Sequence, residues 1–341
     1  MQQNSSTSIA SLPTISSTEP PHPTVVLIAG GSGLIGTALS QYLLDLGAQV
    51  RILSRSAPTK AVSGSNPTYF SWDPRSAVMD PAALQGVTHV VNLAGSGIAD
   101  KAWTPARRQD LLLSRTQSVD CLAAALQRAS EQGATPVQRI VTASAIGYYA
   151  NGEAVATEQS PMGSGFLAEL TSEWEKHSAP LGTWAPLTTL RIGLVLSARG
   201  GLLGPLLPVT SLGLGACIGS GQQWMSWIHE KDMVRLIVHA LLSPEWSSGI
   251  YNAVAPLPRR HLGFMRSLAK ALHRPLWMAL PGWPLRWIMG PRSALILEGV
   301  LASSQKVQDQ GFVFDFPDLD VALNDLLGKS CLLYTSDAAD E

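Results

Sequence analysis

Residues 24–36 read Thr24-Val25-Val26-Leu27-Ile28-Ala29-Gly30-Gly31-Ser32-Gly33-Leu34-Ile35-Gly36. The first six form a continuous β-branched and apolar run, which is typical of a strand buried on both faces of a sheet. The glycines satisfy both the GxGxxG and the GxxGxxG spacing. Apolar residues at helical spacing follow from Leu34 until Gly47 ends them. Residues 49–54 then resemble a second strand. This order of strand, glycine turn, helix and strand predicts a βαβ unit.

The glycine spacing predicts a dinucleotide-binding loop. One glycine makes the tight turn, a second lets the backbone approach a pyrophosphate, and a third lets helix and strand pack closely. The pyrophosphate then lies at the helix N-terminus. The predicted cofactor contacts in this loop are Gly30, Gly33, Leu34, Ile35 and Gly36. A plain glycine turn is the alternative, but the preceding strand and the following helix are the context that the motif requires.

The end of the second strand indicates which cofactor is bound. NAD-specific sites usually carry an acid there, which binds the ribose 2′-hydroxyl. This chain has Ser54 and Arg55 instead, and an arginine can pair bidentately with a 2′-phosphate. The sequence therefore predicts NADP(H) rather than NAD, with Ser54 and Arg55 among the contacts. The alternative for Arg55 is an ordinary surface arginine after a strand.

The alternation of strands and helices continues along the chain. Strands are predicted over 88–94, 139–144 and 187–196, and helices over 105–131, 231–242, 261–272 and 293–301. This order predicts an α/β fold with a Rossmann-type doubly wound parallel sheet. The pattern loosens after about residue 200. We therefore expect a nucleotide-binding domain over 24–200, to which some later segments return, and a smaller substrate lobe over 201–328.

The residues at both ends of the chain are not expected to belong to the folded domains. Residues 1–23 are rich in Ser, Thr and Pro and predict a disordered leader. The predicted compartment is the cytoplasm; a plastid transit peptide is the minor alternative, because such peptides are Arg-rich and this leader has no Lys or Arg. Residues 331–341 resemble a translated sequencing-library adapter and are expected to be non-native.

The amino-acid composition limits the kinds of partner that this protein is expected to bind. Of 341 residues, 45% are hydrophobic and 14% charged, and the formal net charge is −1 with no Lys- or Arg-rich run. A nucleic-acid partner is therefore not expected, since its affinity would depend on neutralising phosphates. The three cysteines form no CxxC pair, so neither a metal site nor a disulfide framework is predicted.

No apolar run resembles a membrane-spanning helix. The segment 277–287 contains three tryptophans and could be an interfacial membrane anchor. Packing over the substrate cleft or at a dimer contact is favoured instead. The expected partners are thus a small-molecule substrate and a possible second copy, with no membrane.

Several short motifs resemble a known family. They include Asn92-Leu93-Ala94-Gly95, Ser114-Arg115, Ser144-Ala145-Ile146-Gly147-Tyr148-Tyr149, Trp174-Glu175, Arg191-Ile192-Gly193-Leu194-Val195-Leu196-Ser197 and Trp227-Ile228-His229. With the glycine loop, they resemble extended short-chain dehydrogenase/reductases, and more narrowly the atypical epimerase-family branch of the NAD-dependent epimerase/dehydratase superfamily. The resemblance covers about residues 24–328. It implies further cofactor contacts at Leu93, Ala94, Gly95, Asp110, Arg115 and Val195.

The same resemblance puts ordinary catalysis in doubt. Ordinary members use a tyrosine acid, a lysine four residues later and a serine. Ser144 matches the serine. Anchoring on Trp174-Glu175 places Leu167 and Thr171 in the tyrosine and lysine positions, and shifting by one residue places Phe166 and Leu170 there. Neither alignment offers a proton donor beside a cation.

Substitute residues can be named from the sequence. Ser144 and Tyr149 are the predicted catalytic residues, and Tyr148, Glu158 and His229 are further candidates. The alternatives are a serine that caps backbone at a strand end, aromatic rings that pack, and a histidine that caps a helix.

Two functions from different classes follow. The first is an NADP(H)-binding oxidoreductase or epimerase-like enzyme acting on a small polar or sugar-like molecule. The second is a non-catalytic dinucleotide-binding redox sensor or scaffold.

Overall fold

The computed structural model describes residues 24–56 and 67–328. The predictions for the leader and for the adapter-like tail lie outside the described residues. The strands are β1 Val25–Ala29, β2 Gln49–Ser54, β3 Thr68–Asp73, β4 Val78–Met79, β5 His89–Asn92, β6 Arg139–Ala145, β7 Val155–Ala156, β8 Leu187–Ile192, β9 Leu194–Ser197, β10 Gly200–Gly201, β11 Ala216–Ile218, β12 Trp224–Met225, β13 Trp227–His229, β14 Gly249–Ala253, β15 Arg259–Arg260, β16 Met278–Leu280 and β17 Leu301–Ala302. The α-helices are α1 Leu34–Asp45, α2 Pro105–Glu131, α3 Phe166–Ser178, α4 Leu203–Ser211, α5 Glu230–Leu242, α6 His261–Ala271, α7 Gly282–Met289, α8 Ala294–Leu297, α9 Gln305–Asp309 and α10 Leu319–Gly328.

The main sheet has eight strands in the order β14-β8-β6-β5-β1-β2-β3-β4. Its pairs are parallel except for β3 with β4, which is antiparallel. The strand order reverses at β1, which pairs with β2 on one side and β5 on the other. In such sheets ligands bind outside the carboxyl ends of the strands at this reversal. The predicted Rossmann-type doubly wound fold is confirmed.

Strand β1 shows why this sheet is covered on both faces. All five of its residues are buried. Val26 and Ile28 pack into a core with residues of α1 and α5, whereas Val25, Leu27 and Ala29 pack into a second core with residues of α2 and α3. Alternate side chains of a strand point to opposite faces, so a strand between two helical layers has to be apolar throughout.

Two predicted elements are wrong in their extent. The strand expected over 187–196 breaks at Gly193, where β8 ends and β9 leaves the main sheet to pair with β10 and β13. A Cβ at Gly193 would lie 2.4 Å from the Ser226 carbonyl oxygen, so two backbones meet there. The helix expected over 293–301 contains only α8, because Glu298 is extended and a Cβ at Gly299 would lie 2.2 Å from the Trp224 oxygen.

A third core lies after residue 200. Side chains of α4, α6 and α10 build it, including Leu203, Phe264, Leu268 and Leu323. In contrast, α5 packs on the main sheet and β14 is its edge strand, so residues 230–253 return to it. The division into domains at residue 200 stays a prediction. Within the described ranges, no helix combines the length and the apolar character needed to cross a bilayer.

Candidate functional site

The loop between β1 and α1 is closely packed backbone. Gly30 has a φ of +83°, and its carbonyl accepts the Gly33 N–H at 3.0 Å. A Cβ at Gly36 would lie 2.2 Å from the Gly30 oxygen, and a Cβ at Gly30 would lie 2.7 Å from the Leu93 carbonyl carbon. Helix α1 has no side-chain cap bond and no acidic residue in its first turn. Its first amide N–H groups are therefore available to an anion.

A cleft of about 520 Å³ opens beside this loop at the carboxyl edge of the sheet. We call it the first cleft. Eight of the thirteen predicted cofactor contacts line it: Gly30, Gly33, Ser54, Arg55, Leu93, Ala94, Gly95 and Asp110. Five do not. Leu34 lies against the β10 glycines, Ile35 and Val195 pack on the core, Gly36 is buried beneath the loop, and Arg115 lines another cleft.

Three arginines line the first cleft: Arg55, Arg75 and Arg107. The sequence predicts only Arg55 as a contact, because Arg75 and Arg107 lie in a hairpin turn and a helix and belong to no cofactor-binding motif. Asp73 shares this cleft, and hydrogen bonds from the Ser76 hydroxyl and the Arg75 backbone N–H lower the pKa of its carboxyl. Neither Arg55 nor Arg75 forms an ion pair with the described residues. The cleft thus presents two arginines near the ends of β2 and β3, and the charges of both also lower the pKa of the Asp73 carboxyl.

A second cleft of about 250 Å³ lies beyond the first. Its lining is mainly apolar and includes Ile146, Leu170, Trp174, Leu194, Leu295 and Val300. Leu167 and Thr171, which the alignment anchored on Trp174-Glu175 places in the tyrosine and lysine positions, both line it, and so does Leu170 of the shifted alignment. The Thr171 hydroxyl donates to the Leu167 carbonyl of its own helix.

Arg115 connects the linings of the two clefts. It lines the second cleft, and its Nη2 donates to the carbonyl of Ser96, which lines the first, at 3.1 Å. Its Nη1 donates to the Leu111 carbonyl at 2.9 Å, and its guanidinium lies 5.0 Å from the Trp174 ring centroid. Burial, with a smaller effect from Arg107, lowers the pKa of Arg115 to about 10. Arg115 therefore stays cationic at neutral pH.

Ser144 and Tyr149 line neither cleft. The Ser144 hydroxyl donates to Glu175 Oε1 at 2.5 Å, and the Glu175 carboxylate accepts two bonds from Arg191 at 2.7 Å each. Arg191 Nη1 also donates to the Tyr149 oxygen at 2.9 Å, and Tyr149 donates to Asn252 at 2.7 Å. We call these five residues the buried polar network. The hydroxyl groups of both predicted catalytic residues, Ser144 and Tyr149, thus form their hydrogen bonds within this network.

This placement does not support the catalytic assignment of Ser144 and Tyr149, which stays a prediction. Both are buried, at 2% and 4% exposed, so a substrate in either cleft meets other residues first. Burial raises the pKa of Tyr149 despite its bonds with Arg191. A general acid has to lie within hydrogen-bond reach of the reacting atom.

The further candidates also lie outside the clefts. His229 caps α5, since its Nδ1 accepts the Lys231 N–H at 3.0 Å, and burial lowers the pKa of His229 to about 4. Glu158 accepts the Asn252 N–H at 2.8 Å, and the Tyr148 ring lies under the Arg191 guanidinium at 3.6 Å. In the described ranges, no group of three or more His, Cys, Asp or Glu could hold a metal ion.

Known proteins resemble nearly the whole described chain. Residues 26–253 match the NAD dependent epimerase/dehydratase family, and residues 280–326 match a domain of unknown function, DUF1731. Epimerase family protein Mb2239 of Mycobacterium bovis is 37% identical over 302 residues, which cover 88% of this chain and 96% of that protein. The epimerase family protein SDR39U1 homolog, chloroplastic, of Arabidopsis thaliana is 32% identical over 89% of this chain and 86% of its own. The crystal structure of human epimerase family protein SDR39U1 (isoform2) with NADPH superposes with a TM-score of 0.80 at 31% identity, covering 89% of this chain and 99% of that one.

Proposed function

Since this chain belongs to the NAD dependent epimerase/dehydratase family, we propose that it is an NADP(H)-dependent oxidoreductase whose substrate is mainly apolar. The observation that carries the proposal is that Arg115, in the lining of the second cleft, donates to Ser96, in the lining of the first. The first cleft is polar and cationic, and the second is lined by aliphatic and aromatic side chains. Such a lining suits an apolar molecule better than the small polar or sugar-like substrate that the sequence predicts.

The first cleft fits a dinucleotide. Its loop leaves no room for a Cβ at Gly30, in the tight turn, or at Gly36, where helix and strand pack closely, as the dinucleotide-binding motif requires. Arg55 and Arg75 line this cleft and can pair with a 2′-phosphate, and the human relative was crystallised with NADPH. When bound, NADPH would supply a hydride to a substrate carbon in the second cleft.

Arg115 is the proposed electrostatic residue. Among the described residues lining the second cleft, it is the only Lys, Arg or His. Two of its five N–H groups donate hydrogen bonds to backbone carbonyls. The remaining donors can stabilise negative charge that develops on a substrate oxygen beside Arg115. That lining includes no tyrosine, lysine or histidine, and its one carboxylate, Glu298, accepts a hydrogen bond from Asn151 at 2.6 Å. The proton on this oxygen is therefore proposed to come from water at the rim.

A specific observation favours the non-catalytic alternative. Neither alignment, Leu167 with Thr171 or Phe166 with Leu170, supplies the acid and its cation, and the Ser144 hydroxyl is hydrogen-bonded within the buried polar network. A redox sensor would need the first cleft alone. The two functions differ in whether bound NADPH is consumed.

Binding is tested first, by titrating the purified full chain with NADPH and NADH and following tryptophan fluorescence. Arg55→Ala and Arg75→Ala should each weaken NADPH binding by about tenfold or more, since a charge-assisted hydrogen bond is worth about 1.5–3 kcal/mol. NADH affinity should change little. Arg128→Ala, an exposed arginine outside both clefts, is the matched control. Equal losses for both nucleotides, or none, would contradict the 2′-phosphate role.

Turnover is tested on the same preparations. We would measure NADPH oxidation with a panel of apolar aromatic and unsaturated carbonyl compounds and, separately, with nucleotide sugars. The proposal expects turnover with the first panel and a loss of kcat in Arg115→Gln, while NADPH affinity is retained. Intact binding with no turnover across both panels would favour the sensor.

A further inference from the structure

Large apolar side chains are exposed unevenly over the surface. Sixteen are exposed among the described residues, and half of them lie in the two segments 209–214 and 277–288: Val209, Leu212, Leu214, Trp277, Leu280, Trp283, Trp287 and Ile288. The three tryptophans are 78%, 72% and 90% exposed. Exposed apolar residues scattered singly are normal, whereas a cluster of them marks an interaction site.

These two segments form one surface. Strand β11 follows the first segment and pairs in parallel with β16 of the second. The Gly219 N–H donates to the Leu280 carbonyl at 2.8 Å, and Arg274 Nε donates to the Ser211 carbonyl at 2.6 Å. We call the surface formed by residues 209–214 and 277–288 the tryptophan face. Its helix, α7, has no fully buried residue, and no residue of 277–287 lines either cleft, so the predicted packing over the substrate cleft stays a prediction.

The sequence around the tryptophan face has no acidic residue. Residues 200–229 contain no Asp, Glu, Lys or Arg, and residues 246–297 contain seven Lys and Arg but no Asp or Glu. Two of the seven, Arg259 and Arg260, pair with acids from elsewhere. Arg274 and Arg286 are exposed beside the tryptophans and form no ion pair with the described residues. The whole chain has a formal net charge of −1, so the excess of cations around the tryptophan face is a local feature.

We propose that the tryptophan face is an interfacial surface that docks on anionic lipid bilayers. Tryptophan is enriched at the level of lipid headgroups, and a helix with aromatic residues and cations lies in that plane. Anionic headgroups complement Arg274 and Arg286, and each cation near such a surface adds about 1 kcal/mol of attraction, or about fivefold in binding.

A second copy fits this surface less well. A two-fold contact places the same patch on both partners, which would bring the cations of one copy against those of the other. Docking on a bilayer would also place the second cleft near lipid, because Ala294 and Leu295 line that cleft just beyond α7.

The test is flotation of the full chain with vesicles of equal parts phosphatidylcholine and phosphatidylserine, and with phosphatidylcholine alone. Binding to the anionic vesicles only is expected. Trp283→Ser with Trp287→Ser should weaken it by about tenfold per ring, the value of burying roughly 60 Å² of apolar surface. Arg286→Glu should weaken it by about thirtyfold, because it replaces attraction by repulsion. Val313→Ser, at a residue 60% exposed outside the face, should bind normally.

Equal unfolding midpoints for all variants show that the fold is kept. Failure to bind anionic vesicles, or binding that neither variant weakens, would overturn the proposal. A concentration-dependent dimer in sedimentation velocity, lost in the double tryptophan variant and with no vesicle binding, would assign the face to a second copy instead. Neither outcome depends on NADPH.

Discussion

Replacing Glu175 by glutamine probes the buried polar network directly. The Glu175 carboxylate accepts two bonds from Arg191 and one from Ser144. The Arg191 side chain is 2% exposed, so its charge has almost no access to water. Burial alone would lower the pKa of Arg191, but its bonds to Glu175 and Tyr149 hold it above the ordinary value. Glu175→Gln keeps the shape of the side chain and removes the compensating charge.

The expected loss follows from the burial of the pair. Removing one partner of a buried ion pair destabilises a protein by about 3–5 kcal/mol. The Tyr148 and Tyr149 rings lie 3.6 Å and 4.8 Å from the Arg191 guanidinium and retain part of the stabilisation, which favours the lower end. At about 2 °C per kcal/mol for a chain of this size, the unfolding midpoint should fall by roughly 6–10 °C, with a value near 6 °C expected.

Thermal unfolding of the full chain, followed by circular dichroism, measures this loss. Glu169→Gln is the matched control, because Glu169 lies on the same helix, is exposed and forms no ion pair with the described residues. It should change the midpoint by less than about 2 °C. If Glu175→Gln and Glu169→Gln shift the midpoint equally, the network contributes no more than a surface carboxylate and our account of it is wrong.

Three further predictions concern single residues. Ser144→Ala should lower the midpoint by about 3–6 °C, since it removes a charge-assisted hydrogen bond worth about 1.5–3 kcal/mol; unchanged stability with lost turnover would instead identify a catalytic serine. Gly36→Ala should abolish NADPH and NADH binding in the titration, because its Cβ would lie 2.2 Å from a carbonyl oxygen of the loop, whereas Gly204→Ala, where a Cβ meets nothing within 4 Å, should bind normally. Burial lowers the pKa of both His89 and His229 from 6.5 to about 4, so the unfolded chain takes up these protons first as the pH falls. Stability should then be complete above about pH 6.5 and decline down to about pH 4, and a midpoint that does not vary over this range would contradict the burial of these neutral rings.

Much of the cofactor site was predictable because its signals are local. The apolar run at Val25–Ala29 and the glycine spacing depend on contacts within a few residues, and the structure places both as expected. Arg55 follows directly from the end of its strand. Arg75 gave no signal, since its place in the first cleft depends on β3 lying next to β2 in the sheet.

The catalytic prediction had no such local basis. Ser144 lies one residue before the end of its strand, yet what it can do depends on Glu175, which lies 31 residues later on another element. Tyr149 is held by Asn252, 103 residues away. A sequence pattern shows which residue types alternate along a segment. It does not show which distant side chain will form a hydrogen bond or an ion pair with a given residue of that segment.

The sequence alone therefore specified the α/β alternation, the parallel sheet and the dinucleotide loop, because backbone sterics and hydrophobic periodicity act over a few residues. Packing between distant elements decided the rest. It buried Ser144 and Tyr149 in the polar network, set Arg115 between two clefts, and left the tryptophans of α7 exposed. Whether a side chain is buried depends on neighbours that folding brings together from distant parts of the chain. Only the tertiary structure could therefore show these three outcomes.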